Sequence, residues 1–233
     1  MANCIDFHCH ILPGIDDGSK NPDMTREMLN FSRRQGIGTV VATPHFYADS
    51  MRISGFLERR KAAYEATLPL AEAAGIRIIP GAEVAFFPGI SRAEGIDRLT
   101  IGDTGMMLIE MPFRAWSGRD LDEVERILQD MEVCIAHLER FYQFQTDKGI
   151  IPALLEMPVC VQINAECLLD RRSRKIPLKL FKNRQAHLLG SDCHNLESRP
   201  QNLAEGRAVI AAKCGAAVLE EIDALGEEIL EGE

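Results

Sequence analysis

The segment C-I-D-F-H-C-H-I-L-P-G-I-D-D-G-S, Cys4 to Ser19, has the residue types of half a metal site. On a strand, residues two apart point to the same side, so His8 and His10 present two imidazoles in one direction. A turn at Pro13 and Gly14 then brings Asp16 and Asp17, beside Gly18, back toward the same mouth. Further on, His45, Glu83, Glu110, His137, Asp192 and His194 each follow a short apolar run. With His8, His10 and Asp17 they make nine nitrogen and oxygen ligands without a cysteine, and they take in five of the six histidines. That exceeds what one transition metal uses. Mixed imidazole and carboxylate ligation suits Mn, Fe or Zn in a cluster of two or three ions. Singly, Glu83 could cap a helix, Glu110 could pair with an arginine, and His45 or His137 could be a satisfied buried histidine. A shared site explains all of them at once.

Four carboxylates against roughly six positive charges from three divalent ions leave a positive excess that attracts an anion such as phosphate. Arg140, three residues after His137, and Arg199, five after His194, would add planar forks for phosphoryl oxygens. The competing expectation pairs them with Glu139 and Glu197.

The elements that must carry these groups alternate in type. Helical patterns such as Pro22 to Gln35 and Ser54 to Ala74 separate short apolar runs, the sequence form of repeated βα units around a parallel sheet. In a parallel α/β barrel the strands' C-terminal ends open on one face, where loops build the site. Six of the seven runs end in His, Asp or Glu, the exception ending in Asn164. His187 falls inside its expected strand and is assigned to the core or a face. Cys9 and Cys193 sit between ligands, and alternation turns them into the wall as packing residues.

Composition excludes several classes. With 233 residues, 46% of them hydrophobic and 26% charged, and no dividing linker, residues 1–233 are expected to form one domain. No apolar run is long enough to span a bilayer, and Met1 to Asp6 lack a signal sequence, so a cytoplasmic location is expected. A net charge of −9 argues against nucleic acid as a partner. Seven cysteines without paired spacing read as reduced thiols. The basic run Arg171 to Lys175 is expected to be a solvated loop, and Ala216 to Glu233 an amphipathic acidic helix closing the barrel.

Taken together, H-C-H, D-D-G, T-P-H, G-A-E-V, A-H-L-E-R and G-S-D-C-H-N with Arg199 resemble the motifs of the PHP (polymerase and histidinol phosphatase) superfamily. Within it they are most similar to the bacterial protein-tyrosine phosphatases of capsular and exopolysaccharide systems, over about residues 3 to 210. The resemblance implies a distorted (β/α)7 TIM-like barrel with a trinuclear centre, Mn first among the candidate ions. It implies a first metal held by His8, His10, Glu83 and Asp192, a second by Glu83, Glu110 and His137, and a third by Asp17, His45 and His194. Arg140 and Arg199 match phosphate-binding arginines. The implied chemistry is phosphomonoester hydrolysis by a metal-bridging hydroxide, acting on a phosphotyrosine protein, with a bacterial tyrosine kinase as the candidate partner. Where the family reads A-H-P-E-R-Y this chain has Leu138 and Phe141, which are expected to tilt the loop carrying Arg140.

Rival chemistries are weaker. Cys134 to Arg140 and Cys193 to Arg199 fit the Cys-x5-Arg spacing of thiol phosphatases, but neither interval contains the glycines that cradle phosphate. No lysine follows a strand as a binuclear amidohydrolase often requires. A scaffold that had lost activity would lack some ligands or the arginines. A small-molecule phosphatase such as one for histidinol phosphate shares the metal centre and stands as the alternative. No residue is a free general acid, which favours a phenolate leaving group of pKa about 10 over an alkoxide. Phe46, Tyr47, Phe86, Phe113 and Trp116 lie just beyond the ligands and could flank an aryl ring.

Overall fold

The structure is a computed structural model that describes residues 4–231, so residues 232 and 233 of the expected C-terminal helix lie outside the described residues. Strands and helices alternate as β1 (Cys4–Cys9), α1 (Pro22–Arg34), β2 (Ile37–Ala42), β3 (His45–Phe46), α2 (Ile53–Ala74), β4 (Arg77–Pro80), β5 (Glu83–Ala85) and β6 (Met106–Glu110). There follow α3 (Gly118–Ile127), β7 (Glu132–Ile135), α4 (Ile150–Leu155), β8 (Cys160–Asn164), α5 (Glu166–Leu169), α6 (Lys175–Lys182), β9 (Leu188–Gly190), α7 (Leu203–Cys214) and α8 (Ala216–Glu231).

Local signals set the helix ends. Asn21 accepts the Met24 N–H ahead of Pro22, and Gly75 closes α2 in the left-handed conformation that an L side chain adopts only at a cost. Ser117 and Asp120 form a reciprocal capping box on α3.

All strand pairs are parallel, in a three-stranded sheet ordered β1-β2-β4 and a six-stranded sheet ordered β3-β5-β6-β7-β8-β9. The result is an α/β fold whose parallel sheet forms a half-barrel. Two of the expected strands are each broken in two. The chain leaves β2 through Thr43 and Pro44 into β3, and leaves β4 through Gly81 and Ala82 into β5. Proline has no N–H to give to a ladder, which accounts for the break before β3. At the opposite edge, Cys9 bridges Cys193, with His10 N donating to Cys193 O at 2.9 Å and Asp192 N to His8 O at 2.7 Å.

Apolar side chains fill two layers. A smaller cluster takes Ile5, Phe7, Leu108, Cys134 and Leu188 from the strands and is capped by Leu230 of α8. The larger cluster lies against the helices and includes Cys9. Strict alternation along β1 would have put Cys9 with Ile5 and Phe7, but the β1–β2 register shifts between Asp6 and Cys9. The shift interrupts the pleat just where the two ligand histidines sit. His187 precedes β9, instead of lying inside it, and its Nδ1 accepts the Val161 N–H at 3.0 Å.

Beside the ligand histidines two glycines are fixed by close approach. A Cβ on Gly18 would run into the carbonyl oxygen of His10, and one on Gly190 would lie 2.5 Å from His8 Cβ and 2.7 Å from Gln162 Nε2. Gly190→Ala should therefore force β9 away from β1 and cost about 1–3 kcal/mol. A urea melt should show a lower midpoint with an unchanged slope, and an unaltered midpoint would mean that the strands are not packed this tightly.

Candidate metal centre

The ends of β1, β3, β5, β6 and β7, with the segment after β9, deliver their polar residues to one place. His8, His10, Glu83 and Asp192 each offer a ligand atom within 4.8 Å of the others, and all four residues are buried. A second group of the same compactness is His10, Asp17, His45 and His194, and a third is His45, Glu83 and Glu110. All nine ligand candidates from the sequence thus lie in one region, with two differences in grouping. His10 faces two groups, and His45 joins Glu83 and Glu110 where His137 was expected. His137 stays close, its Nε2 being 2.7 Å from Glu83 Oε1 and 3.4 Å from Glu110 Oε1.

Glu83 is the common member. Its Oε2 lies 2.9 Å from His45 Nδ1, 3.1 Å from His8 Nε2 and 3.3 Å from His10 Nε2. Burial pushes this carboxyl up, but the His8 charge and the bonds to His10, His137 and His45 outweigh it and hold it well below the usual range. Burial likewise pulls His137 down, and its bonds to Glu110 and Glu83 reverse this, lifting the imidazole to about 9. Burial and the neighbouring His10 charge lower His194 to about 4.

A metal fits this donor set. Among the described residues, seven buried side-chain polar atoms lack an aligned hydrogen-bond partner, and four of them face the cluster: His45 Nδ1, Glu83 Oε2, Asp192 Oδ1 and His194 Nε2. Buried polar atoms are almost always paired, so four close together without partners are what lone pairs directed at cations would leave. The backbone agrees. His137 and Asp192 hold φ of 32° and 54°, two of the three positive values outside glycine among the described residues. Such conformations cost about 1–3 kcal/mol each and cluster at functional sites.

Several residues that position the ligands were not singled out by sequence. Asp16 Oδ2 accepts from His10 Nδ1 at 2.7 Å and from the His45 N–H at 3.0 Å, while Asp17, with its side chain 65% exposed, lies 3.3 Å from His194 Nε2. The second Asp of D-D-G therefore faces the cluster and the first holds two of its histidines. β8, the strand whose run ended in no ligand, supplies a supporting relay. Gln162 Oε1 takes the His8 Nδ1 proton at 3.1 Å and the His137 N–H at 3.0 Å, and its Nε2 donates to Asn164 Oδ1 at 2.8 Å. Asn164 in turn donates to Asp192 Oδ2 at 2.9 Å. A proton on His8 Nδ1 leaves the Nε2 lone pair facing the site. Below this layer, buried Asp6 accepts from Ser191 Oγ at 2.6 Å and Gln201 Nε2 at 2.7 Å, tying β1 to the segment before Asp192.

The arginines depart from the pairing expected with their neighbouring glutamates. Neither pairs with Glu139 or Glu197. Arg140 Nη2 and Arg199 Nη2 both donate to Asp192 Oδ2, at 2.7 and 2.6 Å. Two guanidinium groups on one carboxylate oxygen leave a surplus positive charge at a partly exposed edge, where an anion can enter. Glu139 instead accepts the Asn164 N–H at 3.2 Å.

Of the five aromatics, Phe46 and Trp116 are core residues, 1% and 5% exposed, and Phe86 is half-buried. Tyr47 and Phe113 are exposed, 43% and 51%. Tyr47 stacks on His45 at 5.2 Å, and Phe113 packs on Phe141 and Phe144 at 5.1 and 5.8 Å. Cys134 lies in the inner apolar cluster, where burial and the Cys160 thiol push its pKa well up, the opposite of what a nucleophile needs.

The sequence profile of a family described as capsular polysaccharide synthesis, CpsB/CapC, matches residues 4–228. The tyrosine-protein phosphatase YwqE of Bacillus subtilis (strain 168) is 27% identical over 224 residues, 91% of this chain and 85% of that protein. The tyrosine-protein phosphatase CpsB of Streptococcus pneumoniae is 28% identical over 234 residues, 94% of each. A crystal structure from work on YwqE and CpsB, described as unique metal-dependent tyrosine phosphatases, superposes with a TM-score of 0.83 at 24% identity, over 98% of this chain and 95% of that one.

Gln162→Leu should leave His8 free to take either tautomer and weaken binding of Mn²⁺ by about 10–100-fold. Competition with a chromophoric chelator reads this directly. Unchanged affinity, with circular dichroism as in the parent protein, would remove Gln162 from the support of the site.

Proposed function

The chain belongs to the CpsB/CapC family of capsular polysaccharide synthesis, and on that premise we propose that it is a metal-dependent phosphomonoester hydrolase that dephosphorylates protein tyrosine phosphate. The observation that carries the reading is the set of four buried ligand atoms without hydrogen-bond partners gathered around Glu83, with two arginines at the edge of the same cluster. His8, His10, Asp17, His45, Glu83, Glu110, His137, Asp192 and His194 would hold two or three divalent ions, with Mn favoured and Fe or Zn as alternatives. In this proposal residues 1–233 act as one domain and the sheet closes as a distorted (β/α)7 barrel. The Cys9–Cys193 bridge, which joins β1 to the segment after β9, supports the closure. The protein would work in the cytoplasm, where its seven free thiols stay reduced, and its substrate would be a phosphotyrosine protein such as a bacterial tyrosine kinase.

Bound ions would supply Lewis acidity and a water of lowered pKa. The chain supplies the rest. Arg140 and Arg199 hold the equatorial phosphoryl oxygens and fix the phosphorus for in-line attack. Asp16, Gln162 and Asn164 keep the imidazoles and Asp192 in their working orientation. Among the described residues the histidines and carboxylates of the cluster would all be committed to the ions, so the leaving group would depart without a proton from them, which a phenolate does more readily than an alkoxide. That preference separates phosphotyrosine from histidinol phosphate.

The test uses one preparation of the protein. Chelation should abolish hydrolysis of a phosphotyrosine peptide and Mn²⁺ should restore it, while Cys134→Ser and Cys193→Ser proteins keep full activity. Aryl phosphate should exceed phosphoserine peptide and histidinol phosphate in kcat/KM. A preference for histidinol phosphate would overturn the tyrosine assignment, and loss of activity in either serine variant with metals retained would overturn the metal-based chemistry.

A further inference from the structure

A cavity of about 240 Å³ opens beside the metal centre and shares two of its walls, Asp17 and His45, with the ligand cluster. Its floor is apolar. Phe46 and Phe56, each 1% exposed, lie with Ile15 and Met51 beneath it, and Tyr47 forms one side. Its polar lining is Asp16, Asp17 and His45 on the side of the metal centre, with Ser50 and Arg59, the latter tied by its Nη2 to the Ile15 carbonyl at 2.9 Å.

We propose that this cavity is the subsite for the aryl ring of the phosphate ester, with Tyr47 as its wall. The inference rests on the phosphatase reading and names where that reading's substrate lies. Size restricts the occupant. A volume of 240 Å³ is far above the share of one water, about 30 Å³, and below the 300–1,000 Å³ or so of pockets for drug-sized ligands. It suits a single side chain. Polarity restricts it further, because an apolar floor with a polar mouth matches a group that is hydrocarbon at one end and phosphate at the other. Position does the same. A phosphoryl group held at the Asp17, His45 and His194 side of the cluster has its ester oxygen at the mouth of the cavity. The methylene of a phosphoserine would leave the floor unfilled.

Tyr47 carries an independent signal. It is one of only two aromatic side chains among the five large hydrophobics exposed in the described structure. Its ring is held by the His45 imidazole at 5.2 Å and 28° between planes. An aromatic ring kept partly in water by stacking on a ligand imidazole offers a preorganised face to a second ring. The other exposed aromatic, Phe113, also stacks on a ligand candidate, His137, at 6.3 Å and 25° between planes, but it packs against Phe141 and Phe144 as well and does not line this cavity.

The test compares phenylphosphonate with methylphosphonate on the Mn-loaded protein by calorimetry, with turnover of a phosphotyrosine peptide measured on the same preparation. Phenylphosphonate should bind at least tenfold more tightly. Ser50→Trp, which fills the mouth from an exposed position, and Tyr47→Ala, which removes the wall, should each reduce that ratio to near unity with metal content unchanged. Equal binding of the two phosphonates to the parent protein would overturn the subsite, as would loss of discrimination in Phe113→Ala but not in Tyr47→Ala. Turnover reports separately on the phosphatase reading: aryl discrimination without hydrolysis would remove that reading and leave the aryl cavity in place.

Discussion

A carboxylate that is 1% exposed must find compensation for its lost hydration, and Glu83 finds it in four imidazoles. His45, His8 and His10 crowd one of its oxygens at 2.9–3.3 Å, and His137 bonds the other at 2.7 Å. These four side chains come from the end of β1 (His8 and His10), the first residue of β3 (His45) and two residues beyond β7 (His137), so no local segment can build the arrangement. The parallel sheet is what makes it possible. Every strand enters from the same side and leaves its last residue on the same face, and Glu83, first residue of β5, lies in register with His45 of β3 and Leu108 of β6.

That demand propagates outward in layers. Imidazoles crowded in one cluster must be prevented from rotating, and three are held by a neighbouring polar group: His10 by Asp16, His8 by Gln162, and His194 by the Asp192 carbonyl at 3.0 Å. Those groups need fixing in turn. Gly18 and Gly190 let the backbone come close enough to place them, and Asp6 with Ser191 and Gln201 ties the two sheet edges beneath. A buried polar network is stabilising only when every member is satisfied. Here the members left unsatisfied are in the innermost layer, where the donor set itself calls for cations.

The sequence exposed the innermost layer far better than the others. A His, Asp or Glu at the end of an apolar run is visible without coordinates, because strand direction alone decides which face it reaches, and all nine such residues lie in the cluster region. Assignment to particular groups was less legible. His10 and His45 each face two groups, since a ring nitrogen's reach depends on side-chain torsions that spacing does not encode. Gln162 and Asn164 were invisible for a different reason: an amide pair at i and i+2 on a strand looks like any half-polar face until its partner strands are known. The break of two strands at Thr43-Pro44 and Gly81-Ala82 had a local cue in proline, whereas the register shift in β1 had none.

Asp192 shows why the arginines could not be placed by neighbourhood in the chain. Its positive φ of 54° turns the side chain so that the two oxygens face different tasks. Oδ1 lies 3.3 Å from His10 Nε2 and 3.6 Å from His8 Nε2, while Oδ2 takes Arg140, Arg199 and Asn164. One carboxylate therefore joins the donor cluster to the cationic edge. Burial alone would push its pKa up, yet the His8 and His10 charges hold it well below the usual range. Two arginines on one oxygen exceed what a single negative charge neutralises, and under the proposed reading a phosphoryl group arriving there would meet guanidinium hydrogens already oriented. Preorganised donors of this kind cost no reorganisation when charge develops at the phosphoryl oxygens. In a chain of net charge −9, that local surplus is what makes this edge of the sheet attractive to an anion while the rest of the surface repels it.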